Sequence, residues 1–539
     1  MSAVEIAGRL TTRQRVLLVV LLSTAAIVYA LPVGRRPIGV ADEARQALLA
    51  EDTLRHGLRL PARVRDEPDL QKPPLFFWSV ALVAAPAGHV SDRNASIPSV
   101  VAALATLLGV FFLGRQLSGA HTGFLALVVL ATSPGFFLRS HEVRPDMMLT
   151  AWLTWALGFF LLGLRSLPPR LGHLAGFYLC VAGALWTKGL PCLMVIPAGG
   201  AALAVSVGVR KLPLFRPLTG LTLVALTALP WVVPFSRTPG HEGSEIVSVG
   251  HASMQYLNHF RHHPSLPFVD GLVEFLPWAL WLVPVIVWWW LTPDRQAYRP
   301  VLAWTATFLL FLGVSVFQRS HYMLPLYPLF ALFIAASVTT ATSRARSLLW
   351  IHATILVAVI ATVLAVGGWL LLTTRISMPP FISARSWELA GLAGLALVGS
   401  VAALWSLRGQ RSPSRAVSWI AATIALVLLL GSGIYSAGLA SSYSIQAFAD
   451  GVRGSLERDV PITAYPDGNL VFDLYLDRPI VEVTDRDIVA RRLESPSAGE
   501  LLLQVNDWAS LRRSADPSWC SMGSVALGSR SYVLLGRCR

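Results

Sequence analysis

The sequence predicts a polytopic α-helical membrane protein that ends in a small α/β domain. Of its 539 residues, 54% are hydrophobic and only 14% are charged, whereas about 25% are charged in a typical soluble chain. Apolar runs of about 20 residues, each long enough to cross a bilayer, recur as far as residue 440. After residue 440, short β-rich runs alternate with helix-like runs.

The apolar runs predict about 13 membrane spans. The first run follows Arg9, Arg13 and Arg15 and resembles a signal peptide, but because many spans come after it we interpret it as an uncleaved first helix. The predicted spans are residues 16–34, 95–114, 122–138, 147–164, 172–187, 189–207, 217–235, 273–292, 300–316, 323–341, 349–373, 387–407 and 416–440.

Charge predicts the topology, because alternate connections are short and basic. They contain Arg115; Arg165 and Arg170; Arg210, Lys211 and Arg216; Arg295 and Arg299; Arg344 and Arg346; Arg408, Arg411 and Arg415. The positive-inside rule places these connections and the N-terminus in the cytoplasm. The outward set is then 35–94, 139–146, 187–189, 236–272, 317–322, 374–386 and the tail from 441.

The net charge of +14 lies in the membrane part, because the tail from residue 441 holds 11 arginines and 13 acidic residues. Topology and anionic lipid explain this excess, so it does not indicate nucleic-acid binding. Within the first outward connection, residues 76–88 form an apolar piece that we expect to lie on or in the membrane interface.

The tail, residues 441–539, predicts an α/β domain from the strand-like runs PITAY, PIVEV, SVALG and SYVLL and the helix-like runs NLVFDLYL, DIVARRLE and WASLRRS. Cys520 and Cys538 bracket two of the strand-like runs, so in an oxidising compartment they can form a disulfide; the alternative is two free thiols. Cys180 and Cys192 lie in or beside spans, where packing explains them.

Lysine usage is the first pointer to function. Of 44 basic residues only Lys72, Lys188 and Lys211 are lysine, and the first two adjoin apolar spans on the outward side. Lysine is a compact, flexible point charge that suits a phosphate oxygen, whereas arginine is a planar fork. This usage suggests an enzyme that handles a phosphate at the bilayer surface.

Two motifs of the first outward connection can carry chemistry. In GVADEARQ, Asp42 and Glu43 open a helix-like stretch, where a carboxylate at a partly dry interface can act as a general base; the alternative is helix capping. In LQKPPLFFW, two prolines fix the backbone after Lys72 and hold its ammonium at the lipid boundary; the alternative is a snorkelling lysine.

Further charged motifs follow in other outward turns. HEVRPDM places Glu142, Arg144 and Asp146 within a few residues, although an internal ion pair in a solvated turn would also explain them. TKG places Lys188 in an otherwise apolar stretch, where it needs an anionic partner. QRSHYMLPLYP supplies Arg319, His321 and Tyr322, for which an aromatic belt is the alternative.

The connection at 236–272 contains HFRHHPS. Arg261 in it is a candidate phosphate contact. His259, His262 and His263 suggest a metal, but no nearby carboxylate completes a known ligand spacing, so a divalent metal has weak support and no cofactor is assigned. All these motifs fall on one predicted membrane face, and together they supply what is needed to bind a sugar phosphate on a lipid carrier and activate a hydroxyl.

The motifs DEARQ, QKPPLFFW, EVRPDM, TKG and HYMLPLYP, in this order, resemble those of the GT-C membrane glycosyltransferases that use polyprenyl-phosphate sugars. The resemblance is greatest to the branch that transfers aminoarabinose to lipid A, which is related to the protein O-mannosyltransferases. It covers about the first 330 residues by motif and the whole chain by its layout of spans and tail.

The resemblance implies roles for individual residues. It implies an acidic catalytic set of Asp42, Glu43 and Asp146, with Asp42 as the base. It implies donor-phosphate contacts from Arg45, Lys72, Lys188, Arg261 and Tyr322 and substrate contacts from Glu142, Arg144 and His321. Two positions depart from the family pattern: Gln46 stands where the family usually has tyrosine, and Gln71 where it often has a glutamate linked to a metal, which weakens an inherited metal site.

The resulting hypothesis is an inverting transferase that moves one sugar from undecaprenyl phosphate to lipid A, lipopolysaccharide or another envelope acceptor at the periplasmic face of a bacterial inner membrane. Residues 1–440 would form the catalytic membrane domain, with connections 35–94 and 236–272 on its active face, and 441–539 a periplasmic domain. Alternatives are transfer to Ser or Thr of exported proteins, an inactive relative that binds the carrier lipid, and a carrier-lipid transporter or flippase. A transporter would keep its charges near the bilayer midplane, whereas here they gather at one face.

Overall fold

A computed structural model describes most of the chain. The described residues are 9–69, 72–237, 269–314, 319–342, short pieces between 347 and 365, 386–409, 413–442, 445–456, 460–476, 478, 480–494, 499–527 and 530–538.

Helices dominate this part of the chain. The α-helices are α1 Thr12–Ala30, α2 Ala41–His56, α3 Leu75–Ala84, α4 Asp92–Ser118, α5 Ala120–Ala131, α6 Pro134–Arg139, α7 Asp146–Arg165, α8 Leu171–Lys188, α9 Val195–Ser206, α10 Pro217–Arg237, α11 Val269–Glu274, α12 Leu282–Leu291, α13 Arg299–Val314, α14 Tyr327–Thr339, α15 Ser386–Gly409, α16 Pro413–Ser442, α17 Ile445–Arg453, α18 Leu470–Leu476, α19 Arg486–Glu494 and α20 Val505–Leu511. Short 3-10 helices occupy Ala85–Ala87, Leu190–Met194, Val209–Phe215, Trp278–Trp281, Pro293–Tyr298 and Ser320–Leu326.

Local sequence explains where several of these helices begin and end. Ser91 precedes α4, and its hydroxyl accepts a hydrogen bond from the Asn94 amide while the Asn94 side chain accepts one from the Ser91 amide. In α2 the first turn is acidic and the last turn is basic, which complements the helix dipole. The helix ends at Gly57, whose φ of 77° is readily available only to glycine.

The chain is a multi-pass membrane protein. In the described part, five helices are long and apolar enough to cross a bilayer: Thr12–Ala30, Asp92–Ser118, Asp146–Arg165, Pro217–Pro234 and Ser320–Thr339. Shorter apolar helices cover most of the other predicted spans. The total of 13 spans stays a prediction, because residues 349–373 lie mostly outside the described residues.

The main core lies where α4, α5, α7 and α14 pack together. Small residues permit this packing, because a methyl group added at Gly114 of α4 would lie only 2.7 Å from the Cα of Gly123 in α5. The resulting bundle fixes the ends of α7 and of the segment before α14, where the charged motifs lie.

The tail forms a five-stranded mixed sheet, as its alternating runs predict. Its strands are β3 Ile462–Tyr465, β4 Ile480–Glu482, β5 Leu501–Gln504, β6 Trp519–Leu527 and β7 Arg530–Arg537, in the order β4-β3-β5-β7-β6. β3 is parallel to β4 and β5, and β7 is antiparallel to β5 and β6. The alternating pattern does not predict β5, the central strand, because a strand buried on both faces has a short unbroken apolar run instead. Cys520 and Cys538 form a disulfide with Cα atoms 5.0 Å apart.

The first outward connection folds into α2, a hairpin of β1 Arg63–Val64 and β2 Glu67–Pro68, and α3. In α3 the side chains of Phe76, Phe77 and Val80 are buried, because the helix packs against α2 and α4. This piece is therefore covered by protein along one face, while Leu82 on another face is 76% exposed.

The tail shares a hydrophobic core with this connection. Ala47 of α2 and Phe77 of α3 belong to the same buried cluster as Phe448, Phe472 and Tyr532 of the tail. A boundary at residue 440 remains a prediction, but the packing makes the tail and the first outward connection one compact unit.

Candidate active site

Two acidic residues in the first turn of α2 have opposite environments. Glu43 is fully buried, accepts two hydrogen bonds from Arg36 at 2.7 and 3.0 Å, and accepts a third from the Val143 amide at 3.1 Å. Asp42 has a side chain that is 48% exposed, and its carboxylate lies 4.0 Å from the Arg319 guanidinium. Glu43 therefore fixes α2 onto the 139–146 turn, while Asp42 is presented to a ligand.

Arg45 and Lys72 are joined through Asp69. The Asp69 carboxylate is nearly fully buried, and it accepts a hydrogen bond from Arg45 at 2.6 Å and another from the Lys72 backbone amide at 3.2 Å. Within the described residues, the Lys72 ammonium itself has no hydrogen bond or ion pair. Asp69 thus sets the position of both residues, and the Lys72 charge remains available to an anion.

Lys188 lies at the end of α8 and forms an ion pair with Asp146, the first residue of α7. Its ammonium also lies 4.4 Å from the centre of the Tyr322 ring, which is a cation–π distance. The next residue, Gly189, adjoins the Lys72 motif, because a methyl group placed on it would lie 3.5 Å from Pro73 Cγ. The two lysines noted in the sequence therefore lie on neighbouring segments.

A second ion-pair network, centred on Arg139, adjoins these residues. Arg139 binds Glu142 at 2.6 Å, and it also binds Glu274 and the Ser320 hydroxyl. Burial raises the pKa of Glu142 above its usual range, and the charge of Arg139 opposes this rise. The contacts connect the 139–146 turn to α11 and to the segment before α14.

Arg144 lies between Glu142 and His321. Its Nε is 3.7 Å from a Glu142 oxygen, and its Nη1 is 3.3 Å from His321 Nε2. The buried Nε has no hydrogen bond within the described residues, so it can donate to an oxygen of a ligand.

These contacts join the outward motifs into one site. It contains the half-exposed carboxylate of Asp42 beside Arg319, together with Arg45 and Lys188, whose charges are balanced by the buried carboxylates of Asp69 and Asp146. Such an arrangement can bind an anionic group, stabilise charge that develops on it, and accept a proton beside it.

The chain is similar to known proteins in sequence and in fold. Residues 71–234 match the family model described as dolichyl-phosphate-mannose-protein mannosyltransferase. A relative named undecaprenyl phosphate-alpha-4-amino-4-deoxy-L-arabinose arabinosyl transferase, from Pectobacterium atrosepticum, is 27% identical over 58% of this chain and 57% of its own length. A relative of the same name from an Enterobacter species is 26% identical over 81% of this chain and 80% of its own length.

Solved structures show the fold. ArnT from Cupriavidus metallidurans in the apo state superposes with a TM-score of 0.76 at 18% identity, covering 97% of this chain and 98% of ArnT. The structure of the same protein bound to undecaprenyl phosphate superposes with a TM-score of 0.73 at 19% identity, covering 96% of this chain and 97% of ArnT. The chain therefore has the GT-C fold of ArnT.

Within this fold, the structure brings most of the predicted site residues together: Asp42, Glu43, Arg45, Lys72, Glu142, Arg144, Asp146, Lys188, His321 and Tyr322. Glu43 is completely buried and accepts three hydrogen bonds, and its place in the catalytic set stays a prediction. Arg261 and the three histidines of its motif lie outside the described residues.

Several residues of the site were not predicted from the sequence. Asp69 and Glu274 lie outside the five motifs, and Arg36 and Arg139 stand just before two of them. The signal available in the sequence for Asp69 was an acidic residue three positions before Lys72. If such a carboxylate becomes buried, it needs a cation. In the described part of the chain, no group of three or more His, Cys, Asp or Glu side chains is arranged to hold a metal ion.

Proposed function

We propose that this protein transfers a single sugar from undecaprenyl phosphate to an envelope lipid of the lipid A class at the periplasmic face of the bacterial inner membrane. The observation that carries the proposal is the position of Asp42. Its half-exposed carboxylate lies one helical turn before Arg45, whose guanidinium is held beside Lys72 by Asp69. A proton acceptor and two phosphate-binding cations thus face one site.

In the proposed reaction, an oxygen of the acceptor attacks the anomeric carbon of the sugar. The bond from that carbon to the carrier phosphate oxygen breaks, and undecaprenyl phosphate leaves from the opposite side, so the configuration inverts. Where the acceptor is a hydroxyl, Asp42 takes its proton. Arg45 and Lys72 stabilise the negative charge that grows on the leaving phosphate.

The remaining contacts position these groups. Lys188 is held by Asp146 and Tyr322, so it acts mainly by adding positive potential on the lipid side of the site. The unbonded Nε of Arg144 can bind a sugar or acceptor oxygen. Because a phosphate is already a good leaving group, positioning contributes more than strong acid catalysis. The basic connections support the proposed orientation, with the N-terminus in the cytoplasm and the tail outside.

Mass spectrometry of lipid A from cells with and without the gene tests the proposal. We expect a mass difference of one pentose or hexose, and we expect it to be lost in the deletion and in the Asp42→Asn variant. Asp66→Asn is the matched control, since Asp66 is an exposed aspartate in the same connection. A sugar that is lost from exported proteins and not from lipids would favour a protein acceptor, and full transfer by Asp42→Asn would contradict the role of Asp42.

A further inference from the structure

Arg65 occupies the tip of the β1–β2 hairpin in an unusual backbone conformation. The two turn residues, Arg65 and Asp66, have φ values of 55° and 62°, as a two-residue hairpin turn with both central residues left-handed requires. Glycine, asparagine and aspartate adopt this conformation readily, but arginine does not, and it costs about 1 kcal/mol or more. Such a residue persists where its surroundings hold it in place.

The tail, residues 441–539, forms a C-terminal domain that holds the Arg65 side chain. Its guanidinium donates to the two oxygens of Asp473 at 2.8 and 2.6 Å, to Glu482 at 2.5 Å, and to the Gly468 carbonyl. The side chains of Arg65 and Asp473 are only 20% and 8% exposed. This bidentate, largely desolvated pair fixes the hairpin tip to the domain in one geometry.

The hairpin leads directly to the donor-phosphate cations. Strand β2 ends at Pro68, and the next residue is Asp69, whose amide donates to the Ala62 carbonyl at 2.8 Å and closes the hairpin. Asp69 is also the residue that binds Arg45 and the Lys72 amide. A displacement of the hairpin tip is therefore transmitted through two short strands to both cations.

A second contact from the same helix reaches the start of α2. The Tyr475 hydroxyl, two residues after Asp473 in α18, donates to Asp92 at 2.5 Å and accepts from the Ile38 amide at 2.9 Å. Ile38 lies three residues before the first residue of α2, the helix that carries Asp42. Helix α18 thus contacts residues 35–94 at two places, the tip of the β1–β2 hairpin and the segment before α2.

From these contacts we propose that Arg65 is a positioning residue through which the C-terminal domain sets the place of Arg45 and Lys72 for the carrier phosphate. This inference rests on the proposed function, since it takes those cations to bind that phosphate. It gives the domain a part in donor binding through the β1–β2 hairpin.

The test measures the Kd of undecaprenyl phosphate for the purified full-length chain in detergent. Arg65→Ala is expected to raise this Kd about tenfold, within the range for coupling through a packed network. Arg65→Lys keeps the charge but loses the planar fork, so it should restore part of the affinity. Asp473→Asn removes the partner with little change of shape and should raise the Kd in the same direction even if Arg65→Ala does not fold.

The route through Asp69 is tested by a double-mutant cycle. Asp69→Asn releases both cations, so adding Arg65→Ala to it should cause little further loss of affinity. Fully additive effects would overturn the proposed route. Arg486→Ala is the matched control for folding, because Arg486 belongs to the same domain and its hydrogen bond to Ser510 stays inside it. Its Kd should equal that of the wild type.

Arg45→Ala distinguishes a failure of the Arg65 role from a failure of the proposed function. If Arg45→Ala weakens undecaprenyl phosphate binding while folded Arg65→Ala and Asp473→Asn leave it unchanged, the role of Arg65 is overturned and the proposed function stands. If Arg45→Ala itself leaves the Kd unchanged, the phosphate assignment fails, and the inference fails with it.

Discussion

Lys188 and Asp146 form an ion pair that joins the C-terminal end of one membrane helix to the N-terminal end of another. Each charge also complements the dipole of its own helix, since a cation is favoured at a helix C-terminus and an anion at an N-terminus. The Tyr322 ring covers the ammonium at 4.4 Å. Lys188 is therefore engaged by protein groups to a degree that Lys72 is not.

Replacing Lys188 with methionine should destabilise the protein. The change leaves Asp146, whose side chain is only 9% exposed, without its cation, and breaking such a pair costs about 3 kcal/mol. Thermal unfolding in detergent, compared with wild type, measures the loss. The double variant Lys188→Met/Asp146→Leu removes both charges, so it should regain most of the stability but not the activity. Equal stability of the single and double variants would contradict this account.

Replacing Lys72 with alanine should weaken donor binding without destabilising the fold. The ammonium has no ion pair within the described residues, so its removal exposes no buried carboxylate, and stability should change by less than about 0.5 kcal/mol. The affinity for undecaprenyl phosphate should fall about tenfold or more, as expected for a lost charged hydrogen bond. Isothermal titration with this lipid measures it.

Lys211→Ala provides the comparison for Lys72→Ala, because Lys211 is the remaining lysine and lies in a basic connection on the predicted cytoplasmic side. Its affinity for undecaprenyl phosphate should not differ from that of the wild type. Equal losses in the two variants would mean that the lipid responds to overall charge and not to the Lys72 site.

The sequence predicted the motifs of the site but not the residues that hold them in place. Asp42, Lys72 and Lys188 stand out because a charge beside an apolar span is costly unless it has a purpose. Asp69 and Glu274 do not stand out, since their roles depend on tertiary contacts with Arg45 and Arg139. The sequence also does not show that two adjacent acidic residues have different environments. Asp42 and Glu43 point about 100° apart around α2, so Asp42 is half exposed and Glu43 is buried.

The fold of the tail was predictable to a similar extent. Alternating β-rich runs revealed the four strands on either side of β5, whereas the central strand β5 has no alternation because both of its faces are covered. The docking of the tail through Arg65 and Tyr475 left no signal in the sequence, because an arginine in a polar turn and a tyrosine in a short helix are both ordinary. These residues matter because they contact partners far away in the sequence. The separation is 408 residues for Arg65–Asp473 and 383 residues for Tyr475–Asp92.

Reduction of the Cys520–Cys538 disulfide should destabilise the C-terminal domain. The bond closes a loop with a sequence separation of 18, for which chain entropy gives about 3 kcal/mol. A reducing agent should therefore lower the Tm of the wild type. The Cys520→Ser/Cys538→Ser variant should start at the lower Tm and not respond to the reductant, and a response from it would show that another thiol is involved.

The pH dependence of transfer should report Glu142. Burial raises the pKa of this carboxyl, with Arg139 opposing the shift, and its charge holds both Arg139 and Arg144. As the pH falls through this raised pKa, Glu142 becomes neutral and holds the two arginines less firmly, so activity should decline at a higher pH than an ordinary glutamate would give. Because a raised pKa means that the folded chain binds this proton more tightly than the unfolded chain, protonation of Glu142 should not itself unfold the protein.

A pH–rate profile recorded beside thermal unfolding therefore separates loss of activity from loss of stability. Glu142→Gln should have low activity, and its profile should lack the decline at low pH that Glu142 causes. An unchanged acid limb in that variant would assign it to another group.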